Sequence, residues 1–297
     1  MVAALVWTTV SIETIIVNYN AGEVLQRCLK ALLASNEQTK ITLIDNASSD
    51  GSAENISNLY GHHQGIEFLF NATNLGFAAA VNAVARRSSA QWLLILNPDC
   101  ILRTDALTRL RGALESDGQA ALAGPMVLDD SGRVQRATAR RFPGPLKSFM
   151  TASGLWRLGK WFPGFIGVEI DVATLGNDAE ICEAVSGACM LVRRSALAEL
   201  DYLDEGYAMH CEDIDLMYRL AANGWHCLFV PRAVVVHIQG ESSRSRPSWV
   251  HFQKHRSLAR FFKKFQAGST SAPIRALVYA GIWLRFMVLW PLVLIRN

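Results

Sequence analysis

Two periodicities of hydrophobic residues alternate along the first half of the chain. Four short runs rich in β-branched and aliphatic residues predict buried strands, at 13–19, 40–46, 66–72 and 92–99. Apolar residues at helical spacing lie between them, at 22–35 and 77–88, and 47–60 predicts a polar loop with a short helix. Strands that alternate with helices are typical of βαβ units. The sequence therefore predicts an α/β fold, with a mostly parallel sheet flanked by helices.

The pattern is less regular in the second half. A helix is predicted at 105–116 and a strand at 119–128, and ordered elements return at 187–200, 212–224 and 225–237. Residues 131–181 show weak periodicity and contain several glycines and three prolines, which predicts a functional insertion and not a second domain. Residues 1–242 are therefore expected to form a single domain.

The C-terminal residues 243–297 predict a helical extension that associates with a membrane. Residues 255–265 place cations on one helix face and aromatic residues on the other, a basic amphipathic pattern that fits a membrane surface or, alternatively, a helix docked on the body. Residues 276–295 are apolar on every side of a helix and carry one charge, Arg285. Because Arg285 and Pro291 oppose a simple span, in-plane or re-entrant burial is favoured.

Composition and charge strengthen this division. The chain has 297 residues, of which 51% are hydrophobic, enough for one large domain with an appendage. Residues 242–297 hold ten basic residues and no acidic residue, while the remainder holds 19 basic and 26 acidic residues. A basic tail on an acidic body predicts attraction to an anionic membrane surface.

Two further sequence features indicate the cellular compartment. The six cysteines have neither disulfide-like nor zinc-like spacing, which favours a reducing environment. The first ten residues lack the features of a secretory signal. With the basic tail, these features predict a peripheral or monotopic protein at the cytoplasmic face of the inner membrane.

Polar residues follow each of the first four predicted strands. Because ligands of parallel α/β sheets bind at the carboxyl ends of the strands, these residues are candidate ligand contacts. They are Asn18, Tyr19 and Asn20; Asp45, Asn46 and Asp50; Asn74 and Gly76; and Asn97 and Asp99. Each group alone also fits a turn, but four groups in register favour a binding site. No G-x-G-x-x-G follows the first strand, which argues against a dinucleotide oxidoreductase.

Carboxylates and a histidine in these positions predict acid–base and metal chemistry. Asp45 could accept from a base N–H and Asp50 from a ribose or base, while Asp99 is a hard oxygen ligand for Mg²⁺ or Mn²⁺. His237 ends the last predicted strand and could complete a metal site suited to Mn²⁺. Glu212 and Asp213 begin a helix, where acids cap the helix or, alternatively, Asp213 acts as a general base.

A basic segment between Asp130 and Glu169 lies within the otherwise acidic body. It includes Arg140, Arg141 and Lys147 and has no acidic residue. Such a segment is either a solvated loop or a site for a phosphate-bearing partner. No feature of the sequence predicts a nucleic-acid partner, and none predicts an oligomeric state.

The chain resembles the inverting nucleotide-sugar glycosyltransferases of family 2, which have a GT-A fold. The resemblance covers about residues 12 to 242 and is carried by "IIVNYN", "LIDNASSDGS", "NLGFAAAVN", "LNPD", "SGACMLVRR", "EDIDLMYRL" and the histidine before "GESS", in the family's order. The sequence is most similar to bacterial rhamnosyltransferases of cell-envelope polysaccharide assembly.

The resemblance implies a specific reaction and specific site residues. The pyrimidine of dTDP-L-rhamnose, or alternatively of a UDP-sugar, would bind at Asp45, Asp50 and the Asn74–Gly76 loop. The metal would bind at Asp99 and His237, Asp213 would be the base, and Gly187 and Ala188 would line the acceptor side with residues 131–181. Independently of the resemblance, the membrane-associating tail predicts a lipid-linked saccharide as acceptor, whose diphosphate would meet the basic segment around Arg140, Arg141 and Lys147.

One residue departs from the family's pattern. Asn97 stands where many family members carry the first aspartate of a D-x-D pair. Because asparagine contributes a neutral carbonyl, we expect weaker metal binding. A saccharide-binding protein without catalysis and a nucleotidyltransferase are the alternatives of other classes, and the presence of Asp99, Glu212 and Asp213 argues against the first.

Overall fold

A mixed nine-stranded sheet forms the centre of the protein, seen in a computed structural model that describes residues 11–238 and 246–295. The strands of this sheet are β1 (Ile12–Asn18), β2 (Lys40–Asp45), β3 (Ile66–Phe70), β4 (Trp92–Leu96), β5 (Cys100–Leu102), β6 (Ala120–Leu128), β8 (Glu180–Cys182), β10 (Cys189–Arg193) and β11 (His226–His237). Two short strands, β7 (Ala139–Arg140) and β9 (Ala184–Val185), pair separately.

The sheet has the order β3-β2-β1-β4-β10-β6-β11-β5, and β8 pairs with β11. The first four strands are mutually parallel, as the alternation of strands and helices predicts. Strand β10 is antiparallel to both of its neighbours, and β6 and β11 are again parallel. Most residue pairs in the sheet are therefore parallel, and the carboxyl ends of β1, β2 and β4 lie at one edge.

Nine helices are described, and several of them cover the two faces of the sheet with their apolar sides. They are α1 (Val24–Leu33), α2 (Ser52–Tyr60), α3 (Phe77–Arg87), α4 (Ala106–Ser116), α5 (Pro145–Ser153), α6 (Arg194–Glu199), α7 (Glu212–Ala222), α8 (Pro247–Phe265) and α9 (Ala272–Ile295). Helices α1 and α4 pack on one face and helices α3 and α7 on the other, which produces two buried clusters. The predicted α/β class is confirmed.

The strand predicted from Trp92 ends at Leu96, just before the polar residues expected to follow it, because Pro98 cannot donate to a ladder, and a separate strand, β5, pairs with β11. One local prediction was wrong. The segment 131–181 is not irregular throughout, since it contains α5 and two 3-10 helices at Leu155–Lys160 and Val172–Thr174. Pro145 at the first turn of α5 and the left-handed Gly154 at its end delimit that helix.

Helix α8 packs on the body of the protein. Phe261 and Phe262 are 1% and 3% exposed, and Phe261 packs in a cluster with Tyr207 and Ile214. The aromatic face is therefore buried in protein, and the prediction that it anchors in a membrane was wrong; the alternative of a docked helix is the correct one. Lys264 fixes the contact by binding the carboxylate of Asp215, which is wholly buried, at 2.6 Å.

Helix α9 packs on α8 and is otherwise largely uncovered. Phe262 meets Tyr279 edge-on at 5.4 Å between ring centroids, and the ring of His251 stacks on Phe286 at 5.0 Å. Residues 272–294 have a mean hydropathy of 1.8 and are long and apolar enough to cross a membrane. The exposed apolar side chains include Leu277, Leu284, Met287, Val288 and Leu292. This uncovered surface fits the predicted membrane-associating extension.

Candidate active site

The polar residues after β1 and β2 form one hydrogen-bonded loop system. Asn18 is fully buried, and its amide nitrogen donates to Asp45 Oδ1 at 2.8 Å, to Ser48 Oγ at 3.0 Å and to Ser52 Oγ at 2.9 Å. Asp45 also accepts from the backbone N–H of Ser48 at 3.0 Å. The side chain of Asn18 therefore has no surface for a ligand and positions the loop that carries Asp45 instead.

The neighbouring acid, Asp50, closes the same loop system. Its Oδ2 accepts from the backbone N–H of Gly22 at 2.8 Å, and its Oδ1 accepts from the N–H and hydroxyl of Ser52 at 3.0 and 2.6 Å. Burial alone would raise the pKa of Asp50, but these hydrogen bonds outweigh it and lower the pKa. Asp50 is thus an ionised, partly exposed carboxylate at the rim of the edge formed by β1 and β2.

Three other residues that were predicted to contact the nucleotide sugar, Asn20, Asn46 and Asn74, lie around this rim. Asn20 accepts from the N–H of Ser49 at 2.7 Å in a left-handed conformation (φ 53°). Asn46 donates to the carbonyl of Gly76 at 3.2 Å, and Asn74 accepts from the N–H of the same glycine at 2.9 Å. The loops after β1, β2 and β3 are therefore joined into one surface, as their register predicts.

Tyr19 contacts the C-terminal part of the chain. The guanidinium of Arg246 lies over its ring, 5.7 Å from the centroid. This cation–π contact joins the loop after β1 to the residue that precedes α8.

Asp99 and His237 meet at the next part of the edge. His237 Nε2 lies 3.1 Å from Asp99 Oδ1, and both side chains are nearly buried. The other ring nitrogen, Nδ1, lies 3.1 Å from Gln135 Oε1, while Gln135 Nε2 donates to the carbonyl of His237 at 2.7 Å. Since that carbonyl can only accept, the amide orientation of Gln135 is fixed, and its oxygen accepts from Nδ1–H.

The donor set of this pair fits a divalent metal. When Nδ1 carries the proton, the Nε2 lone pair faces a carboxylate oxygen at 3.1 Å, and two ligand atoms at this separation can bind one divalent cation. Cys100 lies within the same group, but its thiol donates to the carbonyl of Ala188 at 3.3 Å. Asp99 and His237 would therefore hold Mg²⁺ or Mn²⁺, with Gln135 orienting the imidazole.

Helix α7 presents the predicted catalytic carboxylates at its first turn. The two residues before it, His210 and Cys211, are both left-handed (φ 63° and 68°), a conformation that L-residues other than glycine rarely adopt. This sharp turn begins α7 at Glu212. Asp213 Oδ1 then accepts from the N–H of Ile214 at 2.8 Å.

Asp213 forms an ion pair with Arg140. The guanidinium Nη2 of Arg140 donates to Asp213 Oδ2 at 2.9 Å and to the carbonyl of Val185 at 3.1 Å, and both side chains of the ion pair are 17% exposed. The pair fixes the direction of the carboxylate, while part of Asp213 stays accessible. Arg140 thus lies at the site, as predicted for the acceptor side.

The other predicted acceptor-side cation, Arg141, is not brought to Asp213. Its guanidinium donates to the carbonyls of Gly167 and Glu169 at 3.4 and 3.1 Å. Lys147, also in the basic segment, pairs with Glu183 at 3.3 Å. Arg141 therefore holds parts of segment 131–181 together, Lys147 ties the segment to Glu183 beyond its end, and of these three cations Arg140 alone reaches the carboxylate.

Gly187 and Ala188 contact the two segments that carry the candidate carboxylates Asp99 and Asp213. The carbonyl of Ala188 accepts from the N–H of Asn97 at 2.9 Å, which ties it to the end of β4 two residues before Asp99. A Cβ atom at Gly187 would lie 2.6 Å from Asp213 Oδ2. Since Gly187 and Ala188 are adjacent, the segment that carries Asp99 and the side chain of Asp213 both lie close to this dipeptide.

Glu212 is in a different state from Asp213. Its Oε2 is buried and has no hydrogen-bond partner among the described residues. Burial raises the pKa of Glu212, and the negative charge of Asp213 raises it further. Glu212 is therefore suited to carry a proton near neutral pH, and Asp213 is the better candidate for a base.

Comparisons with known proteins agree with this geometry. The sequence pattern described as "Glycosyl transferase family 2" matches residues 14–201. An N-acetylglucosaminyl-diphospho-decaprenol L-rhamnosyltransferase of Mycobacterium tuberculosis is 27% identical over 288 residues, covering 92% of this chain and 91% of that protein. The rhamnosyltransferase WbbL of Escherichia coli K12 is 27% identical over 237 residues, covering 78% of this chain and 84% of the relative.

Solved structures show the same fold. The mannosyltransferase PcManGT of Pyrobaculum calidifontis, in complex with GDP-Man and Mn²⁺, has a TM-score of 0.60 at 15% identity, over 97% of this chain and 74% of that one. TarS 1-349 of S. aureus, in complex with UDP-GlcNAc, has a TM-score of 0.56 at 13% identity, over 92% and 71%. The expected GT-A fold is thereby confirmed.

Proposed function

The chain belongs to glycosyl transferase family 2, and from this premise we propose that it transfers L-rhamnose from dTDP-L-rhamnose, with inversion, to a lipid-linked saccharide. The similarity to two rhamnosyltransferases supports the sugar. The name of the mycobacterial relative, which specifies a diphospho-decaprenol, supports a lipid-linked acceptor used in cell-wall or polysaccharide biosynthesis. The uncovered apolar helix α9 supports a place at the membrane, which we assign to its cytoplasmic face.

The observation that supports this proposal is that the segment carrying Asp99 and the side chain of Asp213 both approach Gly187–Ala188. An inverting transfer needs a base on one side of the sugar and a stabilised leaving group on the other. The contacts of Ala188 with Asn97, and of Gly187 with Asp213, hold the two functions at one edge of the sheet.

The base acts directly on the acceptor. Asp213 accepts the proton of an acceptor hydroxyl, whose oxygen forms a bond to the anomeric carbon of the donor sugar. At the same time the bond between that carbon and the diphosphate oxygen breaks, and the configuration inverts. Arg140 holds Asp213 Oδ2 and Ile214 N–H holds Oδ1, so the carboxylate is oriented before the acceptor arrives.

The leaving nucleoside diphosphate carries the negative charge that develops. A divalent ion bound at Asp99 and His237 would supply the positive charge that stabilises it. Gln135 keeps the imidazole of His237 in one orientation, and the Asp45 and Asp50 loop system would hold the nucleoside. Mn²⁺ and Mg²⁺ both fit a carboxylate ligand, and the imidazole favours Mn²⁺.

The test is transfer by the Asp213→Asn variant. We expect kcat to fall by about 10²- to 10⁴-fold, because asparagine cannot accept the proton, while dTDP-L-rhamnose binds unchanged. Release of dTDP, measured with acceptor present, reports the reaction. Asp178→Asn, at a side chain that is 95% exposed, is the matched control. Full activity of the Asp213 variant would refute the proposed reaction. Activity of the unaltered protein only with UDP-sugars would refute dTDP-L-rhamnose as the donor.

A further inference from the structure

Two cations from the C-terminal helices, Lys254 and Arg285, lie near the contact between α8 and α9. The Nε2 atom of His251 lies 3.1 Å from the carbonyl oxygen of Phe286, which joins α8 to α9 at this point. Lys254 follows His251 by nearly one helical turn, and Arg285 precedes Phe286 directly. Among the described residues, neither cation has a hydrogen bond or ion pair.

Lys254 also faces the loop that leads into α7. Ser257, one turn after Lys254, donates to the carbonyl of Met209 at 2.7 Å, which places Lys254 beside His210. The pKa of His210 is lowered to about 4, chiefly by burial and then by the charges of Lys254 and Arg140, while the charge of Asp213 opposes them. The charged groups of Lys254, Arg140 and Asp213 therefore all lie near His210, beside the proposed catalytic base.

The cluster carries more positive charge than its surroundings neutralise. Burial lowers the pKa of Lys254 and the charge of Arg285 lowers it further, yet both side chains keep an exposed surface. Cations that are partly desolvated, uncompensated and still reachable are typical of the wall of an anion-binding cleft.

The position of Arg285 indicates the kind of anion. It is the single charge in residues 276–295, and the apolar side chains around it on α9 are exposed. A charge retained in such a helix is costly unless it has a function. A ligand bound here would have its anionic group at Lys254 and Arg285 and its apolar part along α9.

We propose that Lys254 and Arg285 bind the diphosphate of a prenyl-type lipid acceptor and so place the saccharide attached to it next to Asp213. The assignment rests on the proposed transfer to a lipid-linked saccharide and gives that acceptor a site. It differs from the site expected in the basic segment, since Arg140, Arg141 and Lys147 are engaged in other contacts. The diphosphate binds as a charge-assisted hydrogen-bond acceptor.

The test measures binding of farnesyl diphosphate to the full-length protein in detergent. We expect Lys254→Gln and Arg285→Gln each to raise the Kd by about tenfold, because each removes a charged donor. Lys254→Arg and Arg285→Lys keep the charge and should restore most of the affinity. Arg256→Gln, on the opposite side of α8 from Lys254, is the matched control and should change the Kd by less than about twofold.

Two further measurements separate the alternatives. Vesicles of phosphatidylcholine with phosphatidylglycerol test phospholipid head groups; the proposal is overturned if the two glutamine variants lose vesicle binding but keep their affinity for farnesyl diphosphate. It is also overturned if that affinity stays within twofold of the unaltered protein. Binding of dTDP-L-rhamnose by the same variants should stay unchanged. If transfer to every acceptor fails while farnesyl diphosphate binding still depends on Lys254, the proposed function is wrong and the anion site remains.

Discussion

Gly187 lies so close to Asp213 that a Cβ atom at position 187 would be 2.6 Å from Asp213 Oδ2 and 2.9 Å from its Cγ. The proposed base is therefore positioned by a residue that has no side chain. We expect Gly187→Ala to displace the carboxylate and lower kcat by about 10²-fold, because displacements of this size are costly in catalysis. The KM for the nucleotide sugar should change little, and steady-state kinetics measures both.

The control for this variant is Gly112→Ala in α4. A Cβ atom at Gly112 would meet nothing within 4 Å. Since alanine is favoured over glycine in a helix interior by about 1 kcal/mol, this variant should keep full activity and unfold at a slightly higher temperature. Unchanged kcat in Gly187→Ala would show that Asp213 is not positioned as the base.

Glu212 should behave unlike its neighbour Asp213. A raised pKa in the folded state means that Glu212 binds a proton more tightly when the protein is folded, so its contribution to stability falls as pH rises above the unfolded value. Glu212→Gln mimics the protonated form. We expect this variant to gain thermal stability relative to the unaltered protein between pH 5 and pH 9, as measured by melting curves across that range.

The same variant separates the roles of the two acids. If Glu212 is protonated during turnover, Glu212→Gln should retain kcat within about tenfold, whereas Asp213→Asn should not. A loss in Glu212→Gln as large as that in Asp213→Asn would identify Glu212 as a second essential carboxylate.

Residues at the ends of elements could be predicted from the sequence, whereas contacts between distant segments could not. Asp99 and His237 follow apolar strands and Asp213 begins an apolar helix, so periodicity located them. Gln135 lies in an aperiodic segment, and nothing local indicates that it orients His237 across 102 positions of sequence.

The sequence pattern also could not predict the directions in which side chains point. Asn18 follows a strand just as Asp45 does, but its amide is buried in the loop system. Similarly, the aromatic face of α8 has the same pattern whether it meets lipid or protein. Tyr207 and Ile214, which bury this aromatic face inside the protein, come from a distant part of the chain.

Metal binding should be weak and should respond to Asn97. Activity is expected to need Mn²⁺ or Mg²⁺ in the millimolar range, since Asn97 contributes no charge where an aspartate would. Asn97→Asp adds a carboxylate two residues before Asp99 and should lower the Mn²⁺ concentration for half-maximal activity by about tenfold. Asp99→Asn should raise it. Full activity in excess chelator would contradict a metal at Asp99 and His237.

Removing the C-terminal helices in two steps should separate membrane association from stability. A chain that ends before Ala272 loses α9 but keeps α8, and we expect it to move from the membrane fraction to the soluble fraction while it still binds dTDP-L-rhamnose. A chain that ends at 242 loses α8 as well, exposing the side of the body that Phe261 covers and leaving Asp215 without Lys264.

The second truncation should be the less stable one, because a buried carboxylate that loses an ion-pair partner costs about 3 to 5 kcal/mol, reduced here because Arg219 still binds Asp215. Fractionation and melting temperatures of the two chains measure the two effects separately. On this basis we place the start of the membrane-associating part after α8 and not at residue 243. If the chain without α9 stays with the membranes, then the body or α8 carries the membrane contact.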